Sequence, residues 1–357
     1  MQFNLNNKKQ QYAIFGAAGA LLLLIIVMMT VSRRSTSTKA TATFAKNAEE
    51  SLPDVVFDVT VISQSSLQRL CYIKQWAKRW TGPIAITWFL YGQDRITFED
   101  FLKTEIFQSR VNLIPFYAER SKPYPINKLR NIAIDSITTS HFWVADMDMW
   151  PSLDLYNTLV HLPVELLRDS YLAIIVPSFE FPLPKNYHCE TFDECVNIIS
   201  GMLPGNKKEL IQCVADQRCF RFREASKTHM YHFDGWETLD PSIPTTVHEC
   251  LHNDIQEPYM MVRKVPHLPL FDERFVDYGK NKVQWIIHLR MIGYKYHVLS
   301  QSFAIDVPHP KSKIALDWFA EGAKTNWKTK MHVLLDHFVY EVKLNTVDKQ
   351  IVTPLCK

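Results

Sequence analysis

Apolar runs and amphipathic stretches alternate along residues 54–145 of the chain. "DVVFDVTVIS" (54–63) is β-branched and largely apolar, the pattern of a buried strand. "SSLQRLCYIKQWAKRW" (65–80) then places Leu67, Leu70, Cys71, Lys74, Ala77 and Trp80 along one helical face behind a serine cap, and Gly82–Pro83 stops it. "IAITWFLYG" (84–92) and "VNLIPFY" (111–117) read as two further strands. "YPINKLRNIAIDSI" (124–137) reads as a helix opening after Pro125, since proline suits a first turn. "SHFWVA" (140–145) closes the series as a core strand. Strands alternating with helices predict an α/β fold around a mostly parallel central sheet.

The start of the chain breaks this rhythm. Residues 12–31 are an uncharged run of 20, bracketed by Lys8–Lys9 and Arg33–Arg34. That length matches a helix crossing ~30 Å of hydrocarbon, and it exceeds the apolar region of a cleavable signal peptide. Residues 33–51, rich in Ser, Thr, Ala and Lys, show no apolar period and read as a flexible stem. The expected organisation is a tail at 1–11, a transmembrane signal anchor at 12–31, a stem at 32–52 and a globular part at 53–357. Basic residues on both flanks leave the orientation open.

Composition adds limits. With 47% hydrophobic residues, 12% aromatic and only 10 glycines in 357 residues, the chain is globular. A formal net charge of +3 gives no nucleic-acid footprint. Of seven cysteines, four form two C-x5-C pairs (Cys189, Cys195; Cys213, Cys219), a spacing of no common zinc site. They fit disulfides in an oxidising lumen or free thiols in a reducing one. The odd count leaves at least one unpaired or bonded to another chain.

Chemistry first shows at "FWVADMDMWP" (142–151), where Asp146 and Asp148 follow the core strand. Two anions this close repel unless a cation lies between them, and hard divalent ions take oxygen ligands. A bare Asp-x-Asp also fits an ordinary solvated turn. In a parallel sheet, however, ligands bind beyond the carboxyl ends of strands, where these two acids stand. That position suits a metal ion holding a diphosphate.

The block "YPINKLRNIAIDSITTSHFWVADMDMWPS" (124–152) resembles glycosyltransferase family 49, which includes glucuronyltransferases of the dystroglycan pathway. "EPYMMVRK" (257–264), "FDERFVDYGKNKVQWIIHLRMIGYKYHVL" (271–299) and "SFAIDVPHPKS" (302–312) resemble its later blocks in order, and the opening strand–helix–strand fits too. The resemblance spans residues 54–312. It implies a GT-A type fold and metal-dependent inverting transfer of a hexosyl or glucuronyl group from a UDP-sugar to a glycan or glycoprotein acceptor. It implies manganese, with magnesium as the alternative, and a Golgi, single-pass type II topology with a lumenal catalytic domain.

Carried over by position, Asp146, Asp148 and His309 are the expected metal ligands, and Arg130, Asn131, Asp146 and Lys282 the expected contacts of the nucleotide-sugar. Arg130 and Asn131 also read as a helix-surface charge and a cap amide, and Lys282 as a solvated lysine. Inversion needs a carboxylate base near the acceptor hydroxyl. Asp272 and Glu273 in "FDERF" are the candidates, with Glu257 behind them; an acid–Arg274 pair stabilising a loop is the competing reading. The chain departs from the family at Lys280, where an aromatic is usual, and at Asp306, where a histidine three residues before His309 is frequent.

"HECLH" (248–252) fits the zinc-peptidase pattern H-E-x-x-H, which on a helix puts both histidines on one face beside Glu249. The downstream glycine and histidine of the metzincin form are missing, since Ile255 and Pro258 stand there. A zinc metallopeptidase is thus one alternative. A catalytically inactive, transferase-like binding protein is another.

Overall fold

The first strand, β1 (Val59–Ser66), is buried on both faces for nearly its whole length, its polar Thr60, Ser63, Gln64 and Ser65 included. This holds in a computed structural model of the protein. It describes residues 56–357 apart from 105–106, 108, 120–122, 225–226, 230–234, 313–314, 317–318, 321–325, 346–351 and 357. The tail, anchor and stem expected at 1–11, 12–31 and 32–52 lie outside the described residues. Among the described residues no helix is long and apolar enough to cross a membrane.

After β1 come α1 (Tyr72–Arg79), β2 (Ile84–Tyr91), α2 (Arg95–Thr104), β3 (Val111–Ala118), α3 (Ile126–Ser136) and β4 (His141–Val144). Next are β5 (Met149–Pro151), α4 (Leu155–Val160), α5 (Val164–Arg168), β6 (Leu172–Ile175) and β7 (Ser178–Glu180). They are followed by α6 (Phe192–Ile199), α7 (Lys207–Ala215), β8 (Phe220–Arg221), β9 (Thr245–His248) and β10 (Met260–Arg263). The last are α8 (Val283–Met291), β11 (Lys295–Leu299), β12 (Ala304–Asp306) and α9 (Trp327–Asn345).

Eight strands form one sheet in the order β3-β2-β1-β4-β10-β6-β11-β9. The β3-β2-β1-β4 half is parallel, as expected. The other half is mixed: β10 lies antiparallel between β4 and β6, β11 runs parallel to β6, and β9 runs antiparallel to β11. The sheet is therefore mixed: most strands run one way, as expected, and β10 and β9 are reversed among them. β10 is a four-residue buried run, and apolar pattern does not encode strand direction.

The helix expected from residue 65 begins later. Gln64, Ser65 and Ser66 stay extended and pair with Thr87, Trp88 and Phe89 of β2, and a 3-10 turn at Leu67–Arg69 precedes α1. These polar residues end the strand beneath the site described below. Trp76 of α1 reaches back to donate its indole N–H to the Met147 carbonyl (3.2 Å), which ties the helix to the Asp-x-Asp loop. Trp80 stacks on Trp143 with ring centroids 5.6 Å apart.

A second sheet, β5-β12-β7-β8, matters more for function. β12 pairs antiparallel with β5, setting Asp306 opposite Met149, and the Val307 N–H donates to the Asp148 carbonyl at 3.0 Å. A register fixed by backbone bonds thus brings residue 306 beside residue 148, far away in sequence. At the other end, Met331, Leu335, Phe338 and Val342 form a helical stripe on α9 that packs on Phe275, Val283, Ile287 and Met291.

The "HECLH" segment is not a helix. His248 ends strand β9, Leu251 bridges to Leu355, and Cys250 is bonded to Cys356. Although the His248 and His252 ring centroids lie 5.8 Å apart, no third His, Cys, Asp or Glu among the described residues joins them in a metal-sized cluster. Cys189–Cys195 and Cys213–Cys219 are also disulfides, and Cys71 is free.

Candidate active site

Loops at the carboxyl ends of β1 and β4 and the segment before α8 enclose a cavity of about 400 Å³. Asp146, Asp148, Asp306 and His309 all line it, with Arg69, Arg130, Lys282, Tyr259 and Glu257. The sequence reading thus converges on one place for its two central acids, its histidine and two of its cations.

Asp146 and Asp148 have different surroundings. Both carboxylate oxygens of Asp146 are taken by protein donors. Oδ1 accepts from Arg130 Nη2 (3.0 Å) and Gln64 Nε2 (3.1 Å); Oδ2 accepts from Lys282 Nζ (2.8 Å) and the Tyr259 hydroxyl (3.0 Å). Burial pushes this carboxyl up, but Lys282 and Arg130 outweigh it and hold the group well below its ordinary value.

Asp148 bonds through Oδ2 to Arg69 Nη2 (3.2 Å) and His309 Nε2 (3.0 Å). Here too burial acts upward and is overcome, leaving the carboxyl at about 2. Its ligand atoms, with those of Asp306 and His309, lie within 4.8 Å of one another, the one such cluster of three found among the described residues. Asp306 is pushed up to about 8 by burial and then by the Asp148 carboxylate. Two carboxylates are therefore held closer than their charges tolerate without a cation. Two oxygen donors and one imidazole suit a hard or borderline divalent ion such as Mn²⁺ or Mg²⁺. The residues present fit such an ion, with Asp306 in the cluster and Asp146 outside it. The expected ligand set had included Asp146 in place of Asp306.

His309 is already oriented for this role. Its Nδ1–H donates to the Pro310 carbonyl at 2.8 Å, so Nε2 is the nitrogen that faces the acids. Burial lowers the imidazole, while the bond to Asp148 raises it, and the net direction is upward.

Arg130 and Asn131 project from α3 toward different tasks. Arg130 is 1% exposed; besides Asp146 it bonds Asn127 Oδ1 (3.0 Å) and Asn281 Oδ1 (2.9 Å). Asn131 latches the 271–273 loop: its Nδ2 donates to Phe271 O and Glu273 Oε1, and its Oδ1 accepts from Phe271 N. It does not line the cavity.

The expected bases lie elsewhere. Asp272 forms a bidentate pair with Arg274 (Nε to Oδ1 3.0 Å, Nη2 to Oδ2 2.6 Å), which also grips Glu341 of α9, and neither Asp272 nor Glu273 lines the cavity. Glu257 does line it, with Oε2 3.9 Å from Lys282 Nζ. Lys280 stands outside, at φ 63° after Gly279 at φ 105°, a left-handed step for which glycine is the natural opener.

Sequence reasoning missed three residues here. Gln64 carried a usable signal, a polar side chain at the end of a core strand. Arg69 and Tyr259 sit in stretches whose pattern only says amphipathic or buried.

The chain is similar to known proteins. A family model described as "Glycosyl-transferase for dystroglycan" matches residues 102–309, more than half of the chain. Mouse "Xylosyl- and glucuronyltransferase LARGE1" is 30% identical over 261 residues, 71% of this chain and 32% of the relative. The "Glycosyltransferase-like protein gnt14" of Dictyostelium discoideum is 26% identical over 276 residues, 74% of this chain and 39% of that one. The chain thus spans about a third of the length of the LARGE1 proteins it matches. A crystal structure of GalNAc-T7 with UDP, GalNAc and Mn²⁺ aligns at TM-score 0.45 and 9% identity, over 74% of this chain and 47% of that one. The family match, covering the Asp-x-Asp loop and ending on His309, settles membership: the chain belongs to glycosyltransferase family 49.

Proposed function

We propose that the protein is a metal-dependent inverting glycosyltransferase of GT-A type that moves a sugar from a UDP-sugar to a glycan or glycoprotein acceptor. The observation that carries this reading is the Asp148–Asp306–His309 cluster in a cavity that also presents Arg69, Arg130 and Lys282. Asp148, Asp306 and His309 would hold the divalent ion. When bound, it supplies positive charge that stabilises a departing diphosphate.

The remaining steps belong to the chain's own residues. Arg130 and Lys282 fix Asp146, so that the floor of the cavity is rigid before any donor arrives. For the base we place Glu257 ahead of Asp272 and Glu273, because its carboxylate faces the cavity while Asp272 is committed to Arg274 and Glu273 to Asn131. Glu257 takes the proton of an acceptor hydroxyl as that oxygen bonds the anomeric carbon from the face opposite the diphosphate.

Two observations support a lumenal site. Disulfides at Cys189–Cys195, Cys213–Cys219 and Cys250–Cys356 fit an oxidising compartment, and the apolar run at 12–31 fits a Golgi type II anchor. The relative's printed activities make UDP-glucuronate and UDP-xylose the first donors to try. The test is donor hydrolysis by the purified full chain in detergent, with Mn²⁺, across a UDP-sugar panel. The reading expects release of UDP from one donor well above the rest, abolished by EDTA. No release from any donor, with or without an acceptor glycan, overturns it.

A further inference from the structure

Phe192 opens α6, in a segment that no motif singled out. Its ring lies parallel to that of His309, 13° between planes with centroids 5.8 Å apart. On the same ring, Arg69 Cζ sits 5.3 Å from the centroid. Arg69 and His309 are the two side chains that contact Asp148. One aromatic ring therefore touches both partners of the acid at the centre of the metal cluster, while being itself 6% exposed.

The ring is held from several sides. Tyr72 meets it edge-on, with centroids 5.8 Å apart. Thr191 caps the helix, its hydroxyl accepting from Glu194 N at 3.2 Å while Glu194 Oε2 accepts from Thr191 N. The Cys189–Cys195 disulfide closes a short loop around that turn, so residue 192 is fixed at both flanks. His309 is bound at its edge by the Pro310 carbonyl, which leaves rotation of the ring plane about that bond to be restrained by a face contact. Phe192 supplies that face.

We propose that Phe192 is a positioning residue of the metal site: its π face orients the His309 imidazole and the Arg69 guanidinium toward Asp148, and the Cys189–Cys195 disulfide holds it there. A π face attracts cationic and stacked partners in these arrangements without touching metal or substrate. The inference rests on the reading of Asp148, Asp306 and His309 as a divalent-metal site.

The test uses the full chain in detergent and Mn²⁺ alone, with binding followed by electron paramagnetic resonance of the free ion. Phe192→Leu keeps apolar volume but removes the π face; Phe192→Tyr keeps both. Phe192→Leu should weaken Mn²⁺ binding roughly tenfold or more, the range for residues that orient metal ligands, and Phe192→Tyr should bind as the wild type does. Paired Cys189→Ser and Cys195→Ser should weaken it in the same direction. Binding of UDP without metal should not change in any of them. Should Phe192→Leu be too unstable to purify, the paired serine variant and Phe192→Met, which also lacks a π face, carry the same test. Wild-type Mn²⁺ affinity in Phe192→Leu, even with a lowered melting temperature, overturns the proposal. A wild type that binds no Mn²⁺ overturns the metal-site reading itself, and this inference with it.

Discussion

Exchanging Asp146 for Asn should cost more stability than the same change at Asp148, although both belong to one motif. Asn keeps the size of Asp146 but removes the charge opposite Arg130 and Lys282, whose side chains are 1% and 8% exposed. It also puts an amide N–H₂ where one oxygen accepted two donors. Breaking a fully buried pair by removing one partner costs roughly 3–5 kcal/mol, because the remaining charge has no compensation. Asp146 itself is 23% exposed, and Arg130 keeps its bonds to Asn127 and Asn281, so about 3 kcal/mol is the reasonable size. For a domain of this length, each kcal/mol moves the melting temperature by about 2–4 °C, which gives a fall of about 6–12 °C. Asp148→Asn takes the carboxylate from one arginine, Arg69, rather than from two buried cations, so its melting temperature should fall by less than half as much. Scanning calorimetry of the full chain in detergent and EDTA at pH 7 reads both. Equal shifts, or a shift under about 2 °C for Asp146→Asn, would refute the claim that this carboxylate anchors the cations.

Two further expectations test the framework. His141 is buried in β4 across from Arg263, and burial, with help from that arginine, lowers its imidazole to about 4. The folded state thus keeps His141 neutral while the unfolded chain protonates near ~6.5. Stability is full above pH ~6.5 and falls by about 3 kcal/mol toward pH 4, and His141→Gln should flatten that slope in urea melts. Gly82 lies against the ring of Tyr156, which is pinned by Trp80 and by a 2.8 Å bond to Asp58; a Cβ there overlaps that ring. Gly82→Ala should therefore destabilise by about 1–3 kcal/mol, and a neutral result in the same melts would mean that the ring moves freely.

Local pattern carried much of the fold and only the centre of the site. β1, β2, β3, α3 and β4 follow from apolar runs and a proline-started helix, because each is decided by its own residues. Strand direction at β10 is decided by neighbours distant in sequence, so the mixed half of the sheet was not legible. The same logic governs the site. Asp146 and Asp148 announce themselves by spacing, and the departure at Asp306 marked it as a residue to watch. Its place beside Asp148 depends on the register between β12 and β5. Asp272 looked like a base because an acid in that block has a function to fill. Its partner Arg274 lies two residues on, and the competing ion-pair reading is the one the geometry displays. "HECLH" has the letters of a zinc site, but a disulfide at Cys250 and pairing of β9 with β11 keep the segment out of a helix, and no third ligand joins the two histidines among the described residues.

The most direct test of the central claim is metal-dependent turnover of the donor selected from the UDP-sugar panel, compared between wild type and Asp148→Asn. Losing a charged ligand of the ion removes several kcal/mol of stabilisation from the departing diphosphate, so Mn²⁺-dependent UDP release should drop by at least about 100-fold. Calorimetry should show the variant still folded. Wild-type UDP release by a folded Asp148→Asn protein, at the same Mn²⁺ concentration, would contradict the placement of the metal and with it the account of this cavity as the site of transfer.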